Sequence, residues 1–84
     1  MDNISQSWTV YILLCSDDSN YVGCTNNLEA RLDRHRKGQV LSTKNRLPIE
    51  IVTYFVFKDK YKAFNFEKYL KSGSGRAFMK KRFI

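Results

Sequence analysis

Five residues have types and spacings suited to holding an anion and moving a proton. Arg31 and His35 lie four apart, so on a helix they share a face beside the Leu28 and Leu32 stripe. A guanidinium there can grip phosphate through paired donors, and an imidazole can transfer a proton near neutral pH. Glu67 falls at the edge of the arc made by Ala63, Phe66 and Leu70 when the segment is wound at about 100° per residue. A carboxylate partly withdrawn from water needs a cationic partner or a metal ion. Tyr11 and Tyr21 add two phenols on strands. Each residue also has an ordinary reading: a salt bridge for Glu67, a solvated basic face for Arg31 and His35, and β-propensity for the tyrosines.

The elements that must position them are legible in the chain. Trp8 to Cys15 is dense in β-branched and aromatic residues, Ser16 to Asn20 is turn chemistry, and Tyr21 to Cys24 resumes the β pattern, which makes a hairpin. A five-residue loop would pair Cys15 with Tyr21 and Leu13 with Gly23 and place Tyr11 near Thr25. Tyr11 and Tyr21 then share a face, Gly23 leaves space between them, and Cys15 and Cys24 face opposite sides as reduced thiols. Asn26 and Glu29 resemble a capping box for a helix over 27–37 that closes at Gly38. Residues 39–47 form a polar, basic loop ending at Pro48. Ile49 to Phe57 is apolar on both alternating faces, which predicts a central strand covered on both sides. Asp59 can cap a helix over 60–71, Ser72-Gly73-Ser74-Gly75 breaks it, and Arg76 to Phe83 forms a last short helix. The expectation is an α+β domain over residues 8–84 after a tail of residues 1–7. Its order is β-β-α-β-α-α, with three antiparallel or mixed strands flanked by helices.

Length and charge bound what such a domain does. One small domain fits 84 residues, and its modest core should draw mostly on the twelve aromatics. The net charge is +7, but the first 28 residues hold three aspartates and no Lys or Arg, so the remainder carries +10. Arg31, Arg34, Arg36, Lys37, Lys44 and Arg46 form one basic cluster, and Lys71, Arg76, Lys80, Lys81 and Arg82 form another. That distribution attracts polyanions, nucleic acid first among them; an anionic membrane surface would need an exposed amphipathic face that only the last helix could supply. No apolar run is long enough to span a membrane, and residues 1–7 lack the basic start and apolar stretch of a secretory signal, so a cytoplasmic location is expected. Two Cys and one His are too few for a four-ligand zinc site without carboxylates.

Taken together, the residues resemble a known family. Thr9-Val10-Tyr11 and Tyr21-Val22-Gly23 are similar to the two tripeptides of the GIY-YIG nucleases, separated by a short turn, and Arg31 follows Tyr21 by ten residues as it does there. Ala63 to Lys71 resembles the later helix that presents the family's metal-binding glutamate. Ser42 to Val52 resembles the small stand-alone bacterial members, relatives of the excision-repair nuclease subunit. The resemblance runs from about Trp8 to Phe83. Thr9 stands in place of the first glycine, and Lys80, Lys81 and Arg82 stand where many members carry an asparagine.

The resemblance implies a metal-dependent DNA endonuclease in repair or processing, structure-directed with weak sequence preference. It implies that Glu67 ligates Mg²⁺ or Mn²⁺, Arg31 neutralises the phosphorane, Tyr11 is the general base and Tyr21 orients water or phosphate, with His35 beside them. Arg34, Lys37, Lys44, Arg46, Lys71, Arg76, Lys80 and Lys81 would follow the DNA backbone. A targeting partner protein would supply what an added DNA-binding domain supplies elsewhere. The competing expectation is a nucleic-acid-binding module that keeps the fold without cutting.

Overall fold

The computed structural model describes residues 7–84. The expected tail therefore lies outside the described residues except for Ser7. Three strands, β1 (Trp8–Cys15), β2 (Asn20–Thr25) and β3 (Ile49–Phe57), form one antiparallel sheet in the order β2-β1-β3. Helix α1 (Leu28–Arg36) packs on one face, and α2 (Lys60–Leu70) and α3 (Gly73–Arg82) pack on the other. The order β-β-α-β-α-α and the α+β class agree with the sequence.

Strand β1 is the centre of the molecule, with Val10, Tyr11, Ile12 and Leu13 all fully buried. Its period of two sorts them cleanly. Val10 and Ile12 join Val22, Ala63, Leu70 and Met79 beneath α2 and α3. Tyr11 and Leu13 join Leu32 beneath α1, with Tyr21, Leu28 and Ile49 at the margin. The deepest side chains are mostly aliphatic, so the expectation of an aromatic-dominated core is corrected. Phe55, Phe66, Phe78 and Phe83 instead form a ring of edge-on contacts around the α2–α3 face.

The hairpin register differs from the expected one by two residues: Leu13 faces Tyr21, Tyr11 faces Gly23 and Thr9 faces Thr25. The loop is shorter because Asn20 belongs to β2, where its side-chain amide donates to the Leu13 carbonyl. Cys15 N–H donates to the Ser19 carbonyl, and Asp18 takes φ +68°, a left-handed turn conformation that Asp tolerates. A shift of two preserves the faces. Tyr11 and Tyr21 still share one side, and Cys15 and Cys24 are free thiols on opposite sides.

Strand β3 is an edge strand, not a central one. Ile12 pairs with Thr53 but Leu13 with Ile51, so a bulge at Val52 interrupts the alternation. Before it Ile49 reaches the α1 side; after it Phe55 and Phe57 reach the α2–α3 side. One switch of faces thus accounts for the unbroken apolar run, while Tyr54 and Val56 remain more than half exposed.

The caps shift by small amounts. Asn27, rather than Asn26, caps α1 by accepting from Ala30 N–H. Asp59 caps α2 as expected, accepting from Tyr61 and Lys62 N–H. Ser72 caps α3, accepting from Gly75 N–H, so the Gly-Ser-Gly segment forms the first turn of a helix instead of a break before one. Gly75 is required there. A Cβ would sit 2.5 Å from Leu70 Cα, so only glycine lets α3 turn this closely against the end of α2.

Candidate active site

On the α1 side of the sheet, the side chains of Tyr11, Tyr21, Arg31 and His35 meet. Strand pairing puts Tyr11 directly opposite Gly23, where a Cβ would lie 2.5 Å from the phenol Cζ; the glycine makes the space that the ring fills. The Tyr11 and Tyr21 rings lie 6.2 Å apart, and the His35 ring sits edge-on to both. Tyr11 Oη is 2.9 Å from His35 Nε2.

Behind the imidazole is a residue that the sequence did not single out. Thr43 Oγ1 lies 2.7 Å from His35 Nδ1, and Tyr11, His35 and Thr43 are all fully buried. Thr43 belongs to the 39–47 segment, which is folded into turns: Thr43 and Lys44 N–H both donate to the Val40 carbonyl, and Arg46 N–H donates to the Thr43 carbonyl. The signal that could have found Thr43 is weak. A single threonine in a polar, basic stretch looks solvated, and only the fold turns its hydroxyl inward.

The proton positions along this chain follow from its neighbours. The Arg31 guanidinium lies beside the Tyr11 and Tyr21 phenols, and it has donors only. The Tyr11 oxygen therefore faces donors on that side and gives its own proton to His35 Nε2. His35 is left to donate from Nδ1 to Thr43. Burial first, then the charges of Arg31 and Arg34, hold the His35 pKa below its ordinary 6.5, so the imidazole is neutral and Nε2 is an acceptor near neutral pH. Burial also pushes the Tyr11 phenol up to about 12 against the lowering contact with Arg31. Among the described residues, His35 Nε2 is the acceptor in hydrogen-bond reach of the Tyr11 hydroxyl.

Arg31 itself is poised and incompletely used. Its proximity to Tyr11, then Tyr21, favours the charged form, and its Nε is a buried donor with no hydrogen-bond partner among the described residues. A buried donor of this kind calls for an acceptor from water, an ion or a ligand.

Glu67 approaches from α2, on the other side of the sheet. Its carboxylate is about a quarter exposed and pairs with Lys71 at 3.0 Å, one turn along the helix. The ordinary salt bridge is therefore present. After burial, which is the main cause in each case, its charge adds to the raised pKa of Cys24 and, as the least of several contributions, of Tyr11. Among the described residues no three His, Cys, Asp or Glu side chains cluster to enclose a metal. A single hard carboxylate suits Mg²⁺ or Mn²⁺, which keep most of their shell for water and phosphate, and it does not suit a closed zinc site.

The basic residues divide into two kinds. Arg34, Lys44, Arg76, Lys80 and Lys81 are exposed. Lys37 is paired to Asp33 at 2.9 Å and Lys71 to Glu67. Arg46 is a brace: it donates from Nε and one terminal nitrogen to the Ser42 carbonyl and from the other to Ser19 Oγ, tying the turn segment to the hairpin loop. No helix among the described residues is long and apolar enough to cross a membrane.

Comparison with known proteins gives a consistent picture. Residues 7–82 match the model of the GIY-YIG catalytic domain. The chain is 43% identical over 63 residues to a UPF0213 protein of Clostridium perfringens, covering 74% of this chain and 68% of that one. It is 38% identical to a UPF0213 protein of Staphylococcus haemolyticus, covering 84% and 88% respectively. The solution NMR structure of a UPF0213 protein from Bacillus halodurans superposes with a TM-score of 0.58 at 29% identity, covering 89% of this chain and 83% of that chain.

Proposed function

The chain belongs to the GIY-YIG nuclease family, with bacterial UPF0213 proteins among its relatives, and on that premise we propose that it is a divalent-metal-dependent DNA endonuclease whose general base is Tyr11. The observation that carries this reading is the buried Tyr11–His35–Thr43 chain beside an Arg31 Nε that lacks an acceptor.

The residues divide the work of phosphodiester hydrolysis as follows. Tyr11 Oη, closed to bulk water in the free protein, takes a proton from an attacking water admitted with the bound phosphate and passes its own to His35 Nε2, so the phenol never has to ionise alone in a buried site. Thr43 holds the imidazole in the tautomer that can accept. The water oxygen bonds to phosphorus, the bond to the 3′-oxygen breaks, and that oxygen takes a proton from solvent, leaving a 5′-phosphate and a 3′-hydroxyl. Arg31 supplies its spare donor to the phosphorane oxygens, where charge is greatest. Tyr21 orients water or phosphate opposite. A Mg²⁺ or Mn²⁺ ion held by Glu67 supplies charge stabilisation for phosphate and leaving group when bound.

The exposed cations at Arg34, Lys44, Arg76, Lys80 and Lys81 contact the DNA backbone, which gives affinity without sequence. Target choice then follows DNA structure, as suits repair or processing. Nicking of supercoiled plasmid in the presence of Mg²⁺ or Mn²⁺, abolished in Glu67→Ala and strongly reduced in Tyr11→Phe, tests the reading. Binding of DNA with no metal-dependent nicking of any supercoiled, flapped or branched substrate would overturn it in favour of a binding module.

A further inference from the structure

A second concave site lies around the outer edge of β2, where α3 folds back against it. It encloses about 490 Å³, within the roughly 300–1,000 Å³ typical of sites for small ligands. Its base is apolar: the core residues Val22, Leu70 and Met79 lie beneath it, and the half-exposed Ile84 stands beside them. Its rim is cationic: Lys71, Arg76 and Lys80 line it, and no Asp or Glu does. Tyr21 belongs to this cavity and also to the catalytic cluster, through its contacts with the Tyr11 and His35 rings.

We propose that this cavity takes one unpaired nucleotide of the DNA strand being cut, its base on the Val22, Leu70 and Met79 floor and its phosphates on Lys71, Arg76 and Lys80. The assignment rests on the nuclease reading and sharpens it to a substrate class. A paired duplex keeps its bases stacked inside and offers the protein phosphates alone, for which an exposed convex surface of lysines is sufficient. An apolar floor beneath a ring of cations matches a splayed-out nucleotide, which has an apolar face and an anionic end in one unit. Tyr21 is the residue the two sites share, its ring packed with Tyr11 and His35 on the α1 side of the sheet.

Lys71 gives the cavity a second consequence. It is the ion-pair partner of Glu67 in the free protein, through an exposed one-turn pair of the weak kind. A phosphate on the rim competes for Lys71 and releases the carboxylate, so occupation of the cavity and availability of the proposed metal ligand rise together.

Methyl NMR without divalent metal tests the cavity independently of cutting. Single-stranded oligothymidylate is expected to shift the Val22, Leu70 and Met79 methyls, and a blunt duplex of the same length is expected to leave them in place. Ala77, exposed on the cavity wall, gives a variant that fills the space without touching the core. Ala77→Trp should weaken single-strand binding at least about tenfold and leave duplex binding unchanged; Ala77→Glu should do the same by charge. Unmoved methyls, equal shifts with duplex or with free thymidine monophosphate, or unchanged affinity in both variants would each overturn the proposal. Plasmid nicking is scored separately: nicking with unmoved methyls removes the cavity assignment alone, and shifted methyls without nicking remove the nuclease reading alone.

Discussion

Tyr11 and His35 stand 24 residues apart in sequence and 2.9 Å apart in space, phenol oxygen to Nε2, with neither side chain exposed to water. A hydrogen bond shielded from solvent on both sides is a route for one proton and little else. Tyr11→Phe keeps the ring that packs against Leu32 and removes only the hydroxyl. We expect the fold to survive and nicking to fall about 10²–10⁴-fold, the usual worth of a positioned general base. Circular dichroism and plasmid nicking on the same preparation check both halves.

Thr43 acts through His35, as a positioning residue. Thr43→Val leaves Nδ1 buried without a partner, which costs about 1–3 kcal/mol of stability and frees the ring to adopt the wrong tautomer. Thr43→Ser keeps the hydroxyl and should restore the rate. Nitrogen NMR of the imidazole separates this role from a packing one, since only loss of the hydroxyl should change the tautomer.

The pH dependence has a definite sign. His35 has a folded-state pKa below the 6.5 of an ordinary histidine, so below pH 6.5 the unfolded chain binds the proton more readily. The His35 contribution is absent above that pH, and stability falls as pH drops from 6.5 through the folded value. Nicking falls over the same range as Nε2 ceases to accept. Thermal melts of the protein and of His35→Gln should differ in slope below pH 6.5, with the variant flatter.

Tyr11 gives the opposite limb. Its folded pKa of about 12 exceeds the unfolded 10.0, so the stability from keeping the phenol neutral is intact below pH 10 and is lost as pH rises from 10 towards 12. Tyrosinate absorbance during alkaline titration should show one phenol titrating with unfolding, and Tyr11→Phe should remove that component.

Gly23→Ala places a methyl on the Tyr11 ring, with the phenol Cζ 2.5 Å from the new carbon. Either the ring leaves His35 or the strands separate. Overpacking of this sort costs about 1–3 kcal/mol, and we expect nicking to fall further than the melting temperature alone would explain.

Much of this arrangement was legible in the chain because it depends on parity and spacing. Tyr11 and Tyr21 share a face under any even shift of register, so the two-residue error in pairing left the tyrosine pair intact. Arg31 and His35 needed only a helix. What failed depended on contacts between distant segments. The bulge at Val52 hides an edge strand behind a continuous apolar run, and Gly75 looks like part of a break because its tight approach to Leu70 exists only after α3 has folded back. Thr43 is buried by a turn that has no local signature, and the bracing role of Arg46 depends on Ser19, 27 residues away.

The buried Nε of Arg31 sets stability against the proposed chemistry. A buried donor left without an acceptor costs about 1–3 kcal/mol. A long apolar side chain there, as in Arg31→Met, should melt at a higher temperature than the natural sequence while losing the ability to cut. Screens that reward thermal tolerance alone would drift towards that inert form, so resistance to heat and retention of the guanidinium can be used together to ask whether a relative of this chain cuts DNA.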